Sequence, residues 1–268
     1  MTRFAAVTAF ILIPDGYRRA AIDRSRENRT IPNMKVGVLL LTAGSGSRFG
    51  GELPKQYVEV AGQALVLHTL VHLAAEPRIC VVQPVVAAGD HRFAGLVAGR
   101  DYPFQLLAPV TGGAARSVSM QHGLEALPAD IDLVAVHDAA RPLPSPRLLA
   151  DVIDTAARFG AAIPGVAVHD TIKRVDADGR VLETPAREQL RAVQTPQVAR
   201  REWFVEALGR EKERLHLHTD DASLLEAAGF AVYVSDGDAM NRKITTPADM
   251  AWLATQLQSE SSRGGFEK

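Results

Sequence analysis

Residues 36–51 read VGVLLLTAGSGSRFGG, an apolar run of strand length that passes directly into a glycine-rich loop. A run that is hydrophobic at almost every position, without alternation, is typical of a strand buried on both faces of a parallel sheet. The glycines that follow allow backbone N–H groups to approach and surround phosphate oxygens. This stretch therefore predicts a buried strand that leads into an anion-binding loop.

The rest of the chain alternates between apolar runs of strand length and helical patterns. This alternation predicts an α/β fold, a Rossmann-like, mostly parallel twisted sheet with helices on both faces. Ligands of such folds bind beyond the carboxyl ends of the strands, so functional residues are expected just after strands. The predicted strands are 36–41, 79–87, 104–107, 133–136, 161–168 and 232–234. The predicted helices are 64–75, 91–98, 115–126, 146–159, 200–208, 220–228 and 247–256.

One stretch, 171–194, interrupts this alternation. It reads as alternating strand on either side of the turn Asp176-Ala177-Asp178-Gly179, which is a hairpin signal. We predict a β-hairpin arm at about 169–194 that projects from a single domain of residues 35–258. The unpaired edges of such an arm favour pairing with another subunit, so we expect a homodimer. The Ser/Gly-rich residues 259–268 are expected to form a flexible tail.

Composition limits the possible functions. Of the 268 residues, 47% are hydrophobic and 23% are charged, the usual range for a globular protein. The formal net charge of -1 argues against a strongly cationic nucleic-acid-binding protein. The apolar stretch 4–13 is too short to span a bilayer, so residues 1–34 are interpreted as a disordered extension or as a start codon placed too early. The single cysteine, Cys80, excludes an intramolecular disulfide, is expected in the core, and suits a reducing cytoplasm.

Two familiar glycine-loop motifs are excluded by their spacing. A dinucleotide-binding fingerprint would need its third glycine where Phe49 stands, and a Walker loop would need Gly-Lys-Ser/Thr, whereas Lys55 follows Pro54. What remains is a glycine loop followed closely by Arg48 and Lys55. Backbone donors, a planar guanidinium and a point charge are the groups needed to hold a triphosphate. The alternative is an ordinary strand-to-helix turn with solvated cations.

A carboxylate follows the predicted strand 133–136, in the sequence His137-Asp138-Ala139-Ala140-Arg141-Pro142. Because it would face the phosphate-binding loop, we predict Asp138 to be a Mg²⁺ ligand. A helix cap is the alternative role for this aspartate. His137 could act as a base or a metal ligand, but beside a buried strand we favour a structural hydrogen-bonding role.

Other polar motifs also follow predicted strands. Gly112-Gly113, with Ser119, reads as a second glycine turn that opens a helix, and a simple loop is the alternative. The segments 195–197 and 219–221 are candidate site segments that could also be turns or N-caps. Lys243 lies between the last strand and the last helix, where it could be only a solvated charge.

Together these motifs resemble the 2-C-methyl-D-erythritol 4-phosphate cytidylyltransferases of the non-mevalonate isoprenoid pathway, over about residues 35–257. The resemblance implies a cytoplasmic enzyme that transfers a cytidylyl group from CTP to a polyol phosphate with Mg²⁺ and releases pyrophosphate. It also implies a homodimer in which each arm reaches the neighbouring active site. The matching pieces are 43–48, 54–56, 112–119, 136–142, 170–173, Arg187, 194–197, 219–220 and 241–245.

The resemblance further implies roles for individual residues. Arg48 and Lys55 would be the catalytic residues that stabilise charge on the pentacoordinate α-phosphate, and Asp138 would bind Mg²⁺. Thr171 and Arg187 would act in the pocket of the partner subunit. The residues implied in nucleotide binding are Ala43, Gly44, Gly46, Gly112, Gly113 and Ser119. The residues implied in positioning the methylerythritol phosphate are Arg141, Thr171, Arg187, Thr195 and Lys243.

Three other functions are weighed against this one. A ribitol-5-phosphate cytidylyltransferase is the nearest alternative, because the glycine loop, Asp138 and Lys243 would serve either acceptor. A nicotinamide oxidoreductase would need the dinucleotide loop that the sequence lacks. A non-catalytic nucleotide-binding protein would not need cations placed for a transition state, and CTP binding without turnover would identify it. Neither nucleic acid nor a membrane is expected as a partner.

Overall fold

The computed structural model describes residues 34–43 and 53–264. The predicted extension before Met34 and the loop residues 44–52 lie outside the described residues. The strands are β1 (Val36–Leu41), β2 (Glu59–Val60), β3 (Gln63–Ala64), β4 (Ile79–Val86), β5 (Gln105–Leu106), β6 (Val110–Thr111), β7 (Leu133–Asp138), β8 (Ala161–Ala167), β9 (Arg174–Val175), β10 (Val181–Glu183), β11 (Arg191–Val193), β12 (Gln197–Arg200) and β13 (Tyr233–Asp236). The α-helices are α1 (Leu65–Leu73), α2 (Arg92–Val97), α3 (Arg116–Ala126), α4 (Pro146–Phe159), α5 (Arg201–Arg210), α6 (Asp221–Ala227) and α7 (Pro247–Gly264).

The main sheet contains nine of the described strands. Seven follow the order β11-β8-β12-β7-β1-β4-β5, while β13 pairs with β8 and β6 pairs with β4. The pairs of β1 with β4 and β7, of β4 with β5 and β6, and of β8 with β13 are parallel. The predicted α/β fold with a mostly parallel sheet is therefore confirmed. Strands β11 and β12 run antiparallel to their neighbours. Strand β11 lies within the stretch predicted as a hairpin arm, and β12 was not predicted.

Helices cover both faces of this sheet, as predicted. Val38 and Leu40 of β1 belong to one core cluster with α1, α2 and α4, whereas Leu39 belongs to a second cluster with α3, α5 and α6. Successive side chains of a strand point to opposite faces, so a strand buried on both sides needs a continuous apolar run. The run in β1 meets this need, which is why its bounds agree with the prediction.

Helix α4 also has the predicted bounds, because its sequence contains its own start and stop signals. Ser145 Oγ accepts a hydrogen bond from Leu148 N at 3.3 Å, and Pro146 occupies the first helical position. Gly160 ends the helix at φ 98°, in the left-handed region that favours glycine. A Cβ added there would lie 2.1 Å from the ring of Trp203. The local signals therefore place α4, and packing against Trp203 fixes its end.

The predicted hairpin is present but shorter than expected. Strands β9 and β10 pair antiparallel around the turn in which Gly179 N donates to Asp176 O at 3.1 Å. The predicted arm 169–194 also included β11, which instead pairs with β8 of the main sheet, Ala192 opposite Val166. The reason is that edge-strand pairing of β11 satisfies backbone groups that a longer projecting arm would leave open.

Two further predictions need correction. Helix α7 continues to Gly264, past the predicted end at 256 and into the predicted flexible tail of residues 259–268, because an established helix adds residues at low cost. The last four residues lie outside the described range. Cys80 is exposed and not in the core, although its neighbours in β4 are buried. Among the described residues, no helix combines the length and the apolar character needed to cross a membrane.

Candidate active site

The candidate site is a cavity of about 400 Å³ at the carboxyl ends of β1 and β7. Leu41 and Asp138, the last residues of these strands, stand opposite each other in the parallel register. The fold therefore brings the entrance of the glycine loop next to the acidic post-strand residue, as predicted for a parallel sheet. The lining residues are Leu41, Thr42, Ala43, Lys55, Gln56, Gly113, Ala114, Ala115, Arg116, Ser119, Asp138, Ala139, Ala140 and Lys243.

One wall of the cavity is the second glycine turn, which leads from β6 into α3. Ser119 Oγ accepts a hydrogen bond from Gly113 N at 3.1 Å and donates one to Ala115 O at 3.1 Å, so the turn is tied to the helix. A Cβ added at Gly113 would lie 2.2 Å from Cγ1 of Val118. A larger residue therefore cannot occupy position 113 without moving α3, and the turn presents bare backbone to the cavity. Gly112 lies beside Ala43, whose Cβ would be 3.0 Å from an added Cβ.

A chain of alternating charges crosses the cavity floor. The guanidinium of Arg116 contacts Asp138 through NH1 and Asp221 Oδ2 through NH2, the latter at 2.6 Å. On its other side, Asp138 Oδ2 accepts a hydrogen bond from Lys243 Nζ at 2.6 Å. Burial alone would raise the pKa of Asp138, but Arg116 and Lys243 lower that pKa well below its usual range. Asp138 is therefore ionised at neutral pH, although it is only 7% exposed.

His137 is completely buried and takes part in a hydrogen-bond relay behind Asp138. Its Nε2 donates to Arg141 O at 3.1 Å, so its Nδ1 is the acceptor for the Thr195 hydroxyl, 3.0 Å away. The same hydroxyl accepts from Asp138 N at 3.1 Å. Burial lowers the pKa of His137 to about 4, so the ring is neutral at pH 7. The favoured structural role of His137 agrees with this geometry.

The two lysines that line the cavity are connected through one loop. Lys55 Nζ donates to Ile244 O at 2.9 Å, and Lys243 is the preceding residue of the same loop. Gln56 donates to Thr42 O at 2.6 Å and so fixes the Lys55 segment to the end of β1. Among the described residues, three cations and one carboxylate thus line the cavity, which suits a polyanionic ligand.

The structure brings together many of the predicted site residues. Ala43, Lys55, Gly113, Ser119, Asp138 and Lys243 line the cavity, and Gly112 adjoins it. Arg48, Gly44 and Gly46 lie outside the described residues. Arg187, which donates to His169 O at 2.9 Å, and Thr171 are exposed and do not line the cavity of their own chain.

Two of the predicted positioning residues lie behind the cavity. Thr195 is buried in the relay around His137, and Arg141 NH1 donates to Asn241 O at 2.9 Å. Neither residue lines the cavity. Their contacts hold the Asp138 strand end and the lysine loop together, so in this geometry they act through neighbouring residues.

Sequence reasoning assigned no role to Arg116 or Asp221. A signal for Arg116 exists, because it is the first residue of α3, where a cation opposes the helix dipole and needs an anionic partner. Asp221 gives no comparable signal, since an acidic residue in the first turn of a helix already has a local explanation.

The carboxylates near the cavity decide whether the site suits the predicted Mg²⁺. Within the described residues, no group of three or more His, Cys, Asp or Glu side chains could hold a metal ion. Mg²⁺ does not require such a group, since it is commonly bound by one or two carboxylates together with substrate phosphates and waters. Asp138 is the one carboxylate that lines the cavity within residues 34–43 and 53–264, and it fits this arrangement together with a bound triphosphate.

Comparison with known proteins gives a consistent family. The sequence model described as 2-C-methyl-D-erythritol 4-phosphate cytidylyltransferase (IspD) matches residues 36–259. A bifunctional enzyme IspD/IspF of Nitrobacter winogradskyi is 40% identical over 239 residues, which are 87% of this chain and 59% of that protein. The chain thus spans about three fifths of such bifunctional relatives. A 2-C-methyl-D-erythritol 4-phosphate cytidylyltransferase of Desulforamulus reducens is 41% identical over 83% of this chain and 96% of its own.

Solved structures agree with this assignment. The 4-diphosphocytidyl-2C-methyl-D-erythritol synthase of Anaerococcus prevotii has a TM-score of 0.74 and 27% identity, over 85% of this chain and all of that one. The 2-C-methyl-D-erythritol 4-phosphate cytidylyltransferase of Thermus thermophilus has a TM-score of 0.67 and 33% identity, over 84% of this chain and all of its own. The chain belongs to the family of 2-C-methyl-D-erythritol 4-phosphate cytidylyltransferases.

Proposed function

We propose that this protein transfers a cytidylyl group from CTP to 2-C-methyl-D-erythritol 4-phosphate, forming 4-diphosphocytidyl-2-C-methyl-D-erythritol and pyrophosphate. The main supporting observation is the cavity in which Lys55, Arg116 and Lys243 converge beside a glycine turn, in a chain of this family. Such a site supplies the positive charge and the bare backbone that two phosphorylated substrates need.

The proposed chemistry is an in-line displacement at the α-phosphorus of CTP. An oxygen of the acceptor phosphate forms the new P–O bond, and the bond to the β-phosphate breaks, so that pyrophosphate leaves with the electron pair. The nucleophile is already an anion, so no general base is required. His137, which is buried, neutral and hydrogen-bonded at both ring nitrogens, accordingly has no part in proton transfer.

The residues of the site divide into three tasks. Gly112, Gly113 and Ser119, together with Ala43 and with Gly44 and Gly46 of the first loop, would hold the nucleotide. Lys55 with Arg48 would stabilise the charge that develops on the α-phosphate, and Lys243 would place the acceptor phosphate. Charge held in position before the reaction is usually the largest contribution to catalysis.

Asp138 would hold Mg²⁺ together with the triphosphate. The metal, when bound, would supply positive charge that offsets the negative charge of the phosphates. Asp138 is suited to this task because it is ionised and its strand end is fixed by Thr195. Arg116 contacts the same carboxylate and keeps it in one orientation.

We also propose that the protein works as a homodimer in the cytoplasm, with arms exchanged between subunits. The hairpin and its base expose large hydrophobic side chains, among them Val175, Val181 and Leu182, each about half exposed. An exposed apolar group of this kind favours a protein contact. In such a dimer, Thr171 and Arg187 would reach the cavity of the partner, where Arg187 would add a further cation.

Pyrophosphate release from CTP tests the proposal. We expect turnover with Mg²⁺ and 2-C-methyl-D-erythritol 4-phosphate, and turnover at least about tenfold slower with ribitol 5-phosphate, because a pocket shaped for one polyol loses contacts with another. Omitting the acceptor is the control for hydrolysis of CTP. Faster turnover with ribitol 5-phosphate would replace the proposed acceptor. If the protein binds CTP but releases no pyrophosphate in the presence of either acceptor, it is a nucleotide-binding protein without this activity.

A further inference from the structure

The positions of both cavity lysines depend on one short loop, residues 241–246. Lys243 belongs to this loop, and Lys55 donates from outside it to the carbonyl of Ile244 at 2.9 Å. The two ammonium groups therefore move together if the loop moves. A displacement of about 1 Å at such a site can cost on the order of a hundredfold in rate.

The first half of the loop is held by contacts with the sheet. Asn241 Nδ2 donates to Thr195 O at 2.8 Å, and Ile244 N donates to Ala140 O at 2.7 Å. The side chain of Ile244 is completely buried in a small core cluster with α1 and α7. These contacts fix the loop at Asn241 and Ile244, but they do not contact the two threonines that follow.

The second half of the loop is held by a single carboxylate, that of Asp249. Its Oδ2 accepts hydrogen bonds from the backbone N and the hydroxyl of Thr245, at 3.0 and 2.9 Å, and from the same two groups of Thr246, both at 2.9 Å. Its Oδ1 pairs with NH2 of Arg242 at 2.7 Å. Asp249 is the third residue of α7 and is buried, so one side chain joins the start of this helix to both sides of Lys243.

The carboxylate of Asp249 is ionised at neutral pH. Burial alone would raise its pKa, but the hydrogen bonds from Thr245 and Thr246 lower that pKa to about 2. A carboxylate that accepts several N–H and O–H bonds is held firmly in one orientation, because each bond restricts its rotation. The hydrogen bonds of Asp249 therefore hold the loop through an ionised carboxylate at neutral pH.

We propose that Asp249 is a positioning residue for catalysis, which sets the places of Lys55 and Lys243 by fixing the loop between them. This proposal rests on the proposed cytidylyl transfer. Asp249 itself does not line the cavity, so its effect passes through the loop. It differs from an ordinary helix cap because its partners flank a residue of the site.

Substitution of Asp249 tests this role. We expect Asp249→Ala to lower kcat by about 10- to 100-fold, as is usual for residues that orient catalytic groups, and to weaken the binding of inorganic pyrophosphate, measured by calorimetry. Asp249→Asn keeps an oxygen acceptor for the threonines, so it should recover most of the lost activity. Arg242→Gln removes the ion pair and the contact of the guanidinium with the ring of Trp252, but it leaves the threonine hydrogen bonds in place. It should therefore retain nearly full activity.

Ser145→Ala is the matched control for stability. Ser145 caps the start of α4, whereas Asp249 lies in the first turn of α7, and Ser145 contacts neither lysine nor the loop. Its loss should therefore lower Tm without lowering kcat. A kcat for Asp249→Ala within threefold of wild type would overturn the proposal. So would an equal loss of kcat in Ser145→Ala. If wild-type protein binds pyrophosphate but does not turn over, the proposed reaction fails, and the calorimetric comparison still decides the role of Asp249.

Discussion

The end of β7 and the β9–β10 hairpin both contain arginine–carboxylate pairs, but in different surroundings. Asp138 is buried between Arg116 and Lys243, whereas the side chains of Arg174 and Glu183, 2.8 Å apart in the hairpin, are each at least half exposed. An exposed pair contributes about 0–1 kcal/mol, because water screens it. Breaking a buried pair costs about 3–5 kcal/mol, since a charge is left without compensation. Buried ion pairs therefore hold the side chains of the site in place, whereas the hairpin is marked by its exposed apolar side chains.

Removing a partly buried cation that pairs with two buried carboxylates should have the largest effect on stability. We expect Arg116→Met to lower the free energy of unfolding by about 3–5 kcal/mol, because Asp221 loses this cation and Asp138 loses one of its two ion pairs with described residues. Arg174→Met should change it by less than about 1 kcal/mol. Urea unfolding of the two variants measures both values. If the two variants were equally stable, burial would not explain a difference between the ion pairs at the end of β7 and the ion pair in the hairpin.

A second substitution sharpens this comparison. Asp221→Asn added to Arg116→Met removes the charge that the first change left buried and unpaired. We expect the double variant to be more stable than Arg116→Met alone, because the uncompensated charge is the main cost of breaking a buried pair. A further loss of stability would indicate that Asp221 acts through packing and not through its charge.

Removing a cavity cation that donates to a backbone carbonyl should affect turnover more than stability. We expect Lys55→Met to fold normally and to lose about 10²–10³ in kcat, or roughly 3–4 kcal/mol of transition-state stabilisation. Steady-state kinetics with CTP and the acceptor, together with a thermal melt, separate the two effects. Turnover near the wild-type rate would remove Lys55 from the proposed catalytic role.

The buried histidine at the end of β7 predicts a dependence of stability on pH. Burial lowers the pKa of His137 to about 4, below its value in the unfolded chain, so the unfolded state binds the proton first as pH falls. Its contribution to stability is present above about pH 6.5 and is lost towards pH 4, with roughly 2 kcal/mol lost by pH 5.

NMR titration of the imidazole ring measures this pKa directly. We expect the His137 resonances not to shift between pH 8 and pH 5, since the ring remains neutral over that range. A midpoint near pH 6.5 would contradict its burial in the relay with Thr195 and Arg141.

The two regions also differ in how far the sequence predicts them. The bounds of β1 and α4 follow from local patterns, namely a continuous apolar run and the Ser145-Pro146 start with its Gly160 stop. Strand β12 has four residues and no such pattern, and it forms because β7 and β8 offer free edges on both of its sides. Long-range pairing of this kind is invisible to a reading of local periodicity.

The residues of the site also divide into those that the sequence predicts and those that only the folded structure reveals. Residues that follow strands, such as Asp138, could be placed from the order of elements, because parallel strands end at one edge. The contact of Arg116 with Asp221 joins residues 105 positions apart, and only the packing of α3 near α6 creates it. The family resemblance implies that Thr195 helps to position the methylerythritol phosphate. In the structure its hydroxyl accepts a hydrogen bond from Asp138 N and lies behind the cavity. Sequence motifs thus predict which segments lie near the site, and packing determines which of their side chains face the cavity.

The smallest effect on the protomer is expected in the hairpin, where Val181 is 52% exposed. Val181→Glu should change the free energy of unfolding of the protomer by less than about 0.5 kcal/mol, since it removes no buried contact. If the hairpin forms the proposed dimer contact, the charge should nevertheless shift the protein towards monomer in sedimentation experiments, because a desolvated carboxylate opposes association. Leu217→Glu, at a position outside the hairpin that is 62% exposed, should leave association unchanged. A dimer that is equally stable in both variants would place the subunit contact elsewhere.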